Sequence, residues 1–335
     1  MSVVVSGARK FFRARRDQVV ALDGVDLSAP AGRLVVVVGP SGSGKTTLLR
    51  AIAGLDRLDD GRIEVDGRDV TAVPPGERDV AMVFQEYALY PHLSVFENIA
   101  FGLRARRAPD VDELVAEAAA HVGLGGTLRR RPDQLSGGER QRVALARALV
   151  RKAAVFLMDE PLSNLDAELR TQMRGEIRML HEGTGATTIY VTHDQVEAMA
   201  MADHVVVLRA GRVEQSGPPE EIYSAPRNVF VARFAGAAPM NIISADLVGA
   251  PDGVASIGVR AERAVLVERD GGRFAGKVRR VEFAGADAFV EVEVASESFL
   301  VRIDPSDVPG AGEEVGVAFA DRDIHSFDRS GARLP

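Results

Sequence analysis

The chain has no cysteine and no tryptophan, and aromatic residues make up only 5% of its 335 positions. Without thiols it can form neither disulfides nor thiolate metal sites, which suits a reducing compartment. No stretch reaches the roughly 18 consecutive apolar residues that a membrane-spanning helix needs. Runs such as Leu34–Val38 and Val205–Leu208 have the length of strands. The opening MSVVVSGARKFF lacks an apolar segment followed by a small-residue cleavage site, so no secretory signal is expected. There is no long run of Lys or Arg, and the formal net charge is −7. Non-specific nucleic-acid binding favours a basic stripe and is therefore disfavoured; no nucleic-acid partner is expected. Work at a membrane would have to go through partner chains.

What is present suits a soluble globular protein: 46% hydrophobic and 27% charged residues. The length suggests two domains. Through the first two-thirds, short Val/Leu/Ile runs bounded by Gly alternate with helical patterns. Strands are predicted at Leu34–Val38, Ala81–Phe84, Val155–Met158, Thr188–Val191 and Val205–Leu208. Continuous apolar runs of this kind are buried on both faces, as in a parallel sheet. Helices are predicted from Asp166 to about Glu182, with Gly183 and Gly185 as stop signals, and from Gly137 to about Lys152. This reads as an α/β domain over residues 1–235. After Gly236 the pattern changes to short alternating runs, such as Val290, Val292 and Val294 interleaved with Glu291 and Glu293. Half-buried antiparallel strands in a small β domain are expected over 236–335.

Gly39-Pro40-Ser41-Gly42-Ser43-Gly44-Lys45-Thr46 fits the phosphate-loop pattern, between a predicted strand and a helical stretch that starts at Thr47. Glycines let backbone N–H groups turn inward around phosphate oxygens, and the following helix adds its dipole. Lys45 places a positive charge on the β- and γ-phosphates of ATP, and the Thr46 hydroxyl can ligate Mg²⁺. A second apolar strand, Ala153–Met158, runs into Asp159 and Glu160. Ligands bind at the carboxyl ends of strands in open parallel sheets. Asp159 there can hold Mg²⁺, and Glu160 can orient or deprotonate an attacking water.

Leu135-Ser136-Gly137-Gly138-Glu139 precedes a helix, and Ser136 with Glu139 forms an S-x-x-E capping box. The N–H groups of such a helix start can bind phosphate. A chain with its own phosphate loop does not need a second anion site, unless that site serves a neighbouring subunit's nucleotide.

These five residues resemble the signature of ABC ATPases. The family's other motifs follow in order: Gln85 resembles the Q-loop, Ser163-Asn164-Leu165-Asp166 the D-loop, and His193 the switch histidine. The resemblance implies a P-loop NTPase cassette with a mostly parallel core sheet, a β-subdomain and a helical subdomain at about 86–152. It also implies ATP held between two head-to-tail copies, or a copy and a paralogous ATPase subunit. Each ATP would lie between one phosphate loop, including Thr47, and Ser136, Gly137 and Gly138 of the other subunit. Gln85 would join the Mg²⁺ ligands, Asp166 would line the dimer interface, and His193 would contact the γ-phosphate. Phe12 is the best match to the family's adenine-stacking aromatic, with Phe11 beside it.

Pro74–His92 and Thr192–Met199 resemble the importer branch, and Glu221–Asn241 is similar to the linker of carbohydrate and glycerol-3-phosphate importer ATPases, a group that the terminal Phe327–Leu334 also resembles. Members of that branch carry an OB-like TOBE domain after the cassette, which agrees with the alternating strands past Gly236. The implied role is ATP hydrolysis for a sugar or related solute, with polyamine, iron or oxyanion import as the alternative. The implied partners are two transmembrane permease subunits and, indirectly, an extracytoplasmic solute-binding protein; the implied location is the cytoplasmic face of the membrane. Soluble ABC ATPases of translation or DNA repair usually fuse two cassettes or insert coiled coils, whereas this chain has one phosphate loop and no heptads. The segment Tyr87–His92 reads as an exposed aromatic patch suited to a partner groove.

Overall fold

The computed structural model describes residues 1–14 and 17–335, and these form two compact units, Met1–Pro219 and Glu220–Pro335. In the first unit the chain runs β1 (Val3–Ala14), β2 (Asp17–Ala29), β3 (Leu34–Val38), α1 (Lys45–Ala53), β4 (Asp60–Val65), β5 (Arg68–Asp69) and β6 (Val80–Val83). Three helices follow: α2 (Val95–Ala105), α3 (Val111–His121) and α4 (Gly137–Leu149). The unit is completed by β7 (Val155–Asp159), α5 (Ala167–Thr184), β8 (Thr187–Thr192), α6 (Gln195–Met201), β9 (His204–Arg209) and β10 (Arg212–Gly217).

The larger sheet has the order β10-β9-β3-β8-β7-β6, with every pairing parallel except β10 on β9. Its central strands are wholly buried, so the five predicted strands form the core sheet within a residue at each end. Parallel strands aligned in this way bring β3, β7 and β8 to one edge at their carboxyl ends. The smaller sheet, β2-β1-β4-β5, is antiparallel throughout. Its strands were not singled out in the sequence for a physical reason. The β1–β2 pairing shifts register at three places, which interrupts the alternation that marks a strand.

Of the two predicted stops for α5, only Gly185 acts. It caps the helix at φ 61°, while Gly183 lies inside the last turn. A helix tolerates an internal glycine at about 1 kcal/mol, whereas the left-handed cap selects for one.

The second unit begins one residue into α7 (Pro219–Ser224) and holds α8 (Val229–Phe234), β11 (Asn241–Ser244), β12 (Ser256–Val259), β13 (Val265–Val267), β14 (Phe274–Ala284), β15 (Asp287–Val294), β16 (Glu297–Ile303), β17 (Glu314–Ala318) and β18 (His325–Phe327). Two antiparallel sheets result, β11-β12-β18 and β13-β17-β14-β15-β16. Val290, Val292, Val294, Phe299 and Val301 point into their shared core, as the alternation predicts.

The edge of this unit precedes the change of sequence character at Gly236, and Arg260 explains why. Only 3% exposed, its guanidinium donates to the carbonyls of Tyr223 at 2.8 Å, Ala232 at 3.0 Å and Ala235, and it lies over the Tyr223 ring. Burial lowers its pKa to about 10, so it stays charged at neutral pH. The two short helices are thereby tied to the β domain they precede. No helix among the described residues is long and apolar enough to cross a membrane.

Candidate nucleotide site

The phosphate loop is shaped by close backbone approach. A Cβ on Gly39 would come within 2.0 Å of the Leu208 carbonyl, and one on Gly44 within 2.2 Å of Ala21's. Gly44 also sits at φ 102°, so only glycine fits there. Ser41 and Gly42 are exposed, and Thr47 is half-buried in the first turn of α1. Ser43 is buried, and its hydroxyl has no hydrogen-bond partner among the described residues. Lys45 is 4% exposed and its ammonium donates to the carbonyls of Gly39 at 2.9 Å and Pro40 at 3.0 Å.

The ends of β7 and β8 bring the remaining groups together. Thr46 donates to Asp159 at 2.9 Å. Next along, Glu160 adopts φ 42°, a left-handed conformation that costs a non-glycine residue energy and is found at functional sites. Its own N–H donates to the Val191 carbonyl at 2.9 Å, which holds that geometry. Glu160 Oε2 then receives two neighbours: His193 Nδ1 at 3.0 Å and the Gln85 amide at 3.4 Å. Asn164 donates to the Gln85 carbonyl at 3.1 Å. Lys45, Thr46, Gln85, Asp159, Glu160 and His193, named from four separate segments, thus form one cluster.

Its electrostatics are those of charges kept partly dry. Burial raises the Asp159 pKa and the adjacent Glu160 adds to this, while Thr46, Arg50 and Lys45 oppose it. Burial lowers the Lys45 pKa, against the pull of Glu160 and Asp159. A partly desolvated cation attracts a polyanion more strongly than one in water, and the two carboxylates beside it oppose that attraction.

The predicted residues Ser136, Gly137 and Gly138 lie elsewhere. Among the described residues no hydrogen bond joins them to the cluster. They open α4, where Ser136 Oγ accepts from Glu139 N at 3.2 Å and Ser136 N donates to Glu139 Oε2 at 2.8 Å, the capping box read from the sequence. Their packing neighbours are Leu165 and Leu169, beside Asp166. Asp166 caps α5 through Leu169 N at 2.9 Å. Phe12 is 42% exposed on β1, across from Val19 of β2, the strand whose Ala21 backs Gly44. Lys10 lies 5.3 Å from its ring centre. Phe11 is half-buried.

The aromatic patch differs from expectation. Tyr87 and Tyr90 are half-buried, and Tyr90 packs on Phe101 with ring centres 4.5 Å apart; Phe101 is the exposed ring. A groove of about 450 Å³ there is lined by Phe84, Tyr90, Phe101, Arg106, Arg147 and Arg151. Arg147 fixes the segment after Gln85, donating to the carbonyls of Tyr87 at 2.8 Å and Ala88 at 2.5 Å. Sequence reasoning missed Arg147 because one arginine on a helix face carries no local signal.

Comparison with known proteins bears on the whole chain. The ABC transporter family model matches residues 22–163 and the TOBE domain model residues 257–327. The sn-glycerol-3-phosphate import ATP-binding protein of Rhizobium meliloti (strain 1021) is 47% identical, with 94% of this chain and 95% of the relative covered. Its namesake from Rhodopseudomonas palustris (strain HaA2) is 43% identical over 99% and 98%. This chain belongs to the ABC transporter ATP-binding subunits. Its cassette also resembles the solved dimeric cassette MJ0796 bound to ADP and Pi, at 30% identity and a TM-score of 0.60, over 64% of this chain and 98% of that one. The family assignment makes the subunit an ATP-binding enzyme that couples hydrolysis to transport. The fold is the P-loop cassette followed by an all-β TOBE domain.

Proposed function

We propose that this subunit hydrolyses ATP at the Lys45–Glu160 cluster, in a head-to-tail pair of cassettes, to drive import of glycerol-3-phosphate or a related sugar-derived solute. The observation that carries the catalytic part is the Glu160 carboxylate, held in a left-handed backbone and approached on one oxygen by His193 at 3.0 Å and Gln85 at 3.4 Å. The solute class rests on the two relatives named for glycerol-3-phosphate import, which match nearly end to end.

The loop amides from Gly39, Ser41, Gly42, Ser43 and Gly44, with Lys45 and Thr47, bind the phosphates, and Phe12 stacks on the adenine. The oxygens of Thr46, Asp159 and Gln85 form the donor set for Mg²⁺. No group of three or more His, Cys, Asp and Glu able to hold a metal occurs among the described residues. Coordination shared with phosphate and water is how Mg²⁺ usually binds, so the residues present fit it. When bound, Mg²⁺ neutralises charge on the phosphate oxygens. Glu160 takes the proton of the attacking water, and His193 orients that carboxylate and reaches the γ-phosphate. Ser136, Gly137 and Gly138 of a second copy, or of a paralogous subunit, close over the nucleotide, with Asp166 at the interface. The groove at Tyr90 and Phe101 receives one of two permease subunits, which places the cassette on the cytoplasmic face of the membrane. An extracytoplasmic binding protein chooses the solute. The cassette is taken as residues 1–235 with its helical part near 86–152, and the β domain as 236–335.

Glu160→Gln tests the catalytic assignment. Hydrolysis should fall about 10²–10⁴-fold, the usual contribution of general base catalysis, while ATP binding survives and holds two subunits together on gel filtration. Wild-type turnover in that variant would remove Glu160 from the mechanism. Reconstitution with its permease, followed by glycerol-3-phosphate-stimulated ATPase, tests the solute; stimulation by a polyamine, iron or an oxyanion instead would overturn that half.

A further inference from the structure

Glu197 is a carboxylate the mechanism above does not use, yet it is 3% exposed on α6, four residues past His193. Burying a carboxylate is costly unless hydrogen bonds satisfy it, and here they converge on one oxygen. Glu197 Oε2 accepts from the Tyr190 hydroxyl at 2.8 Å and from the Thr192 hydroxyl at 2.7 Å. Thr192 is the last residue of β8, and its hydroxyl also accepts from the backbone N–H of Asp194 at 3.0 Å. That single hydroxyl therefore ties the residue before His193 to the residue after it, and anchors both on a buried carboxyl group.

The far side of the loop is fixed as well. Asp194 caps α6, accepting from Val196 N at 2.7 Å and Glu197 N at 3.3 Å. Its other oxygen lies 3.6 Å from Arg170 of α5, and Arg170 donates to the Leu165 carbonyl at 2.9 Å. The His193 side chain itself is 54% exposed, with Glu160 as its hydrogen-bond partner at 3.0 Å. A ring so exposed owes its direction to its backbone.

We propose that Glu197 is a positioning residue for His193: through the Thr192 hydroxyl it fixes the backbone on both sides of the histidine and so holds the imidazole on Glu160. The proposal rests on the reading of His193 as part of the hydrolytic cluster. A carboxylate suits the task better than an amide because it accepts both hydroxyls without presenting a donor to them. Burial raises the Tyr190 pKa well above its ordinary value, so its hydroxyl keeps the proton it donates.

The test is steady-state ATPase on the full chain carrying Glu197→Gln, Glu197→Ala, Thr192→Val or Thr192→Ser, each alone and with His193→Ala. Hydrogen-bonding partners behind a working histidine typically matter by roughly 10–100-fold, as measured for metal-bound histidines. Glu197→Ala and Thr192→Val should lower kcat by about 10-fold with the KM for ATP nearly unchanged, and Glu197→Gln by less. Thr192→Ser, which keeps the hydroxyl, should restore the rate. In the His193→Ala background none of the substitutions should lower kcat further, because residues acting through one group are not additive. A merely structural role predicts losses that multiply with His193→Ala, and that result would overturn the proposal. So would wild-type kcat in Thr192→Val, the variant that tests the bridge without emptying the core. Wild-type turnover in His193→Ala alone would instead bring down the reading of His193 on which the proposal stands.

Discussion

Helices α2 and α4 begin with the same device. Ser94 Oγ accepts from Glu97 N at 3.2 Å, and Ser94 N donates to Glu97 Oε2 at 2.9 Å. At α4 the corresponding distances are 3.2 Å and 2.8 Å for Ser136 and Glu139. What differs is the fate of the next two N–H groups. Those of Val95 and Phe96 are spent on the carbonyls of Arg130 at 2.8 Å and Leu128 at 2.9 Å. Those of Gly137 and Gly138 have no acceptor among the described residues. Val95 is buried beneath its neighbours, whereas Gly137 has no side chain to cover its backbone. The capping box therefore explains why both helices start where they do, and it does not explain an anion site. The anion site proposed for α4 would come from N–H groups left without an acceptor on a helix dipole, which of these two helix starts only α4 offers among the described residues.

The comparison breaks most sharply at the serines. Ser136→Arg should lower hydrolysis by about 10²–10³-fold, the range for losing a charge-stabilising donor, because it fills the approach to α4 with a side chain. ATP binding to a single subunit should survive, since the phosphate loop is untouched. Ser94→Arg should cost stability locally and leave hydrolysis within a few-fold. Mixed dimers with one Ser136→Arg chain that kept two normal sites would sink the assignment of α4 to the neighbouring nucleotide.

Gly137→Ala asks whether open backbone matters when folding does not suffer. An added Cβ there would meet nothing nearer than Leu165 at 3.5 Å, an ordinary contact. Alanine favours a helix over glycine by up to about 1 kcal/mol, so stability should hold or rise slightly. Activity should drop several-fold, because the methyl group crowds the N–H groups. Gly138→Ala, whose Cβ would fall 2.6 Å from Leu169, should lower both. Stability and activity rising together in Gly137→Ala would mean that the uncovered N–H groups are incidental.

Much of this was readable in advance, and what was not shares one cause. The core strands announce themselves because burial on both faces demands unbroken Val and Leu, as in Leu34–Val38. Ser136 and Glu139 announce a helix start because the cap is local, three residues apart. The phosphate loop and the Asp159–Glu160 pair are equally local. Long-range choices left no such mark. Nothing near Ser94 indicates that the carbonyls of Leu128 and Arg130 will close its helix start, and nothing near Tyr223 indicates that Arg260 will claim its carbonyl. The half-burial of Tyr90 against Phe101 is of the same kind. These contacts depend on where distant segments meet, which pattern and spacing within one segment do not encode.

Removing the cap alone should separate its two consequences. Ser94→Ala and Ser136→Ala should each cost about 1 kcal/mol in unfolding free energy, the usual price of an N-cap serine. Only Ser136→Ala should also slow hydrolysis, by frayed placement of Gly137 and Gly138. Equal loss of activity in both would show that general stability limits the rate.

The smallest effect concerns the two cap carboxylates. Hydrogen bonds to Ser94, its backbone N–H first, hold the Glu97 carboxyl below its ordinary pKa; those to Ser136 do the same for Glu139. A carboxyl depressed in the folded state stabilises the fold above its unfolded pKa, and that stability is lost as pH falls through the folded value. Both caps therefore weaken only below about pH 4.5, the ordinary glutamate value from which each is lowered. Glu97→Gln and Glu139→Gln keep an acceptor for the serine N–H but do not titrate. Each should start slightly below wild type at pH 7 and converge with it in acid, as read by thermal melts across pH 3–7 at fixed salt. At neutral pH the two should part in one respect. Glu139 carries its charge beside the N–H groups proposed to receive a phosphate, offset by Arg130 at 3.6 Å, a half-exposed pair whose attraction solvent screens. Replacing it by Gln removes a repulsion, so ATP-dependent dimerisation should tighten by a few-fold. Glu97→Gln should not change it, because the α2 start is closed by the chain's own carbonyls. Equal dimerisation in the two variants would mean that Glu139 does not face the nucleotide.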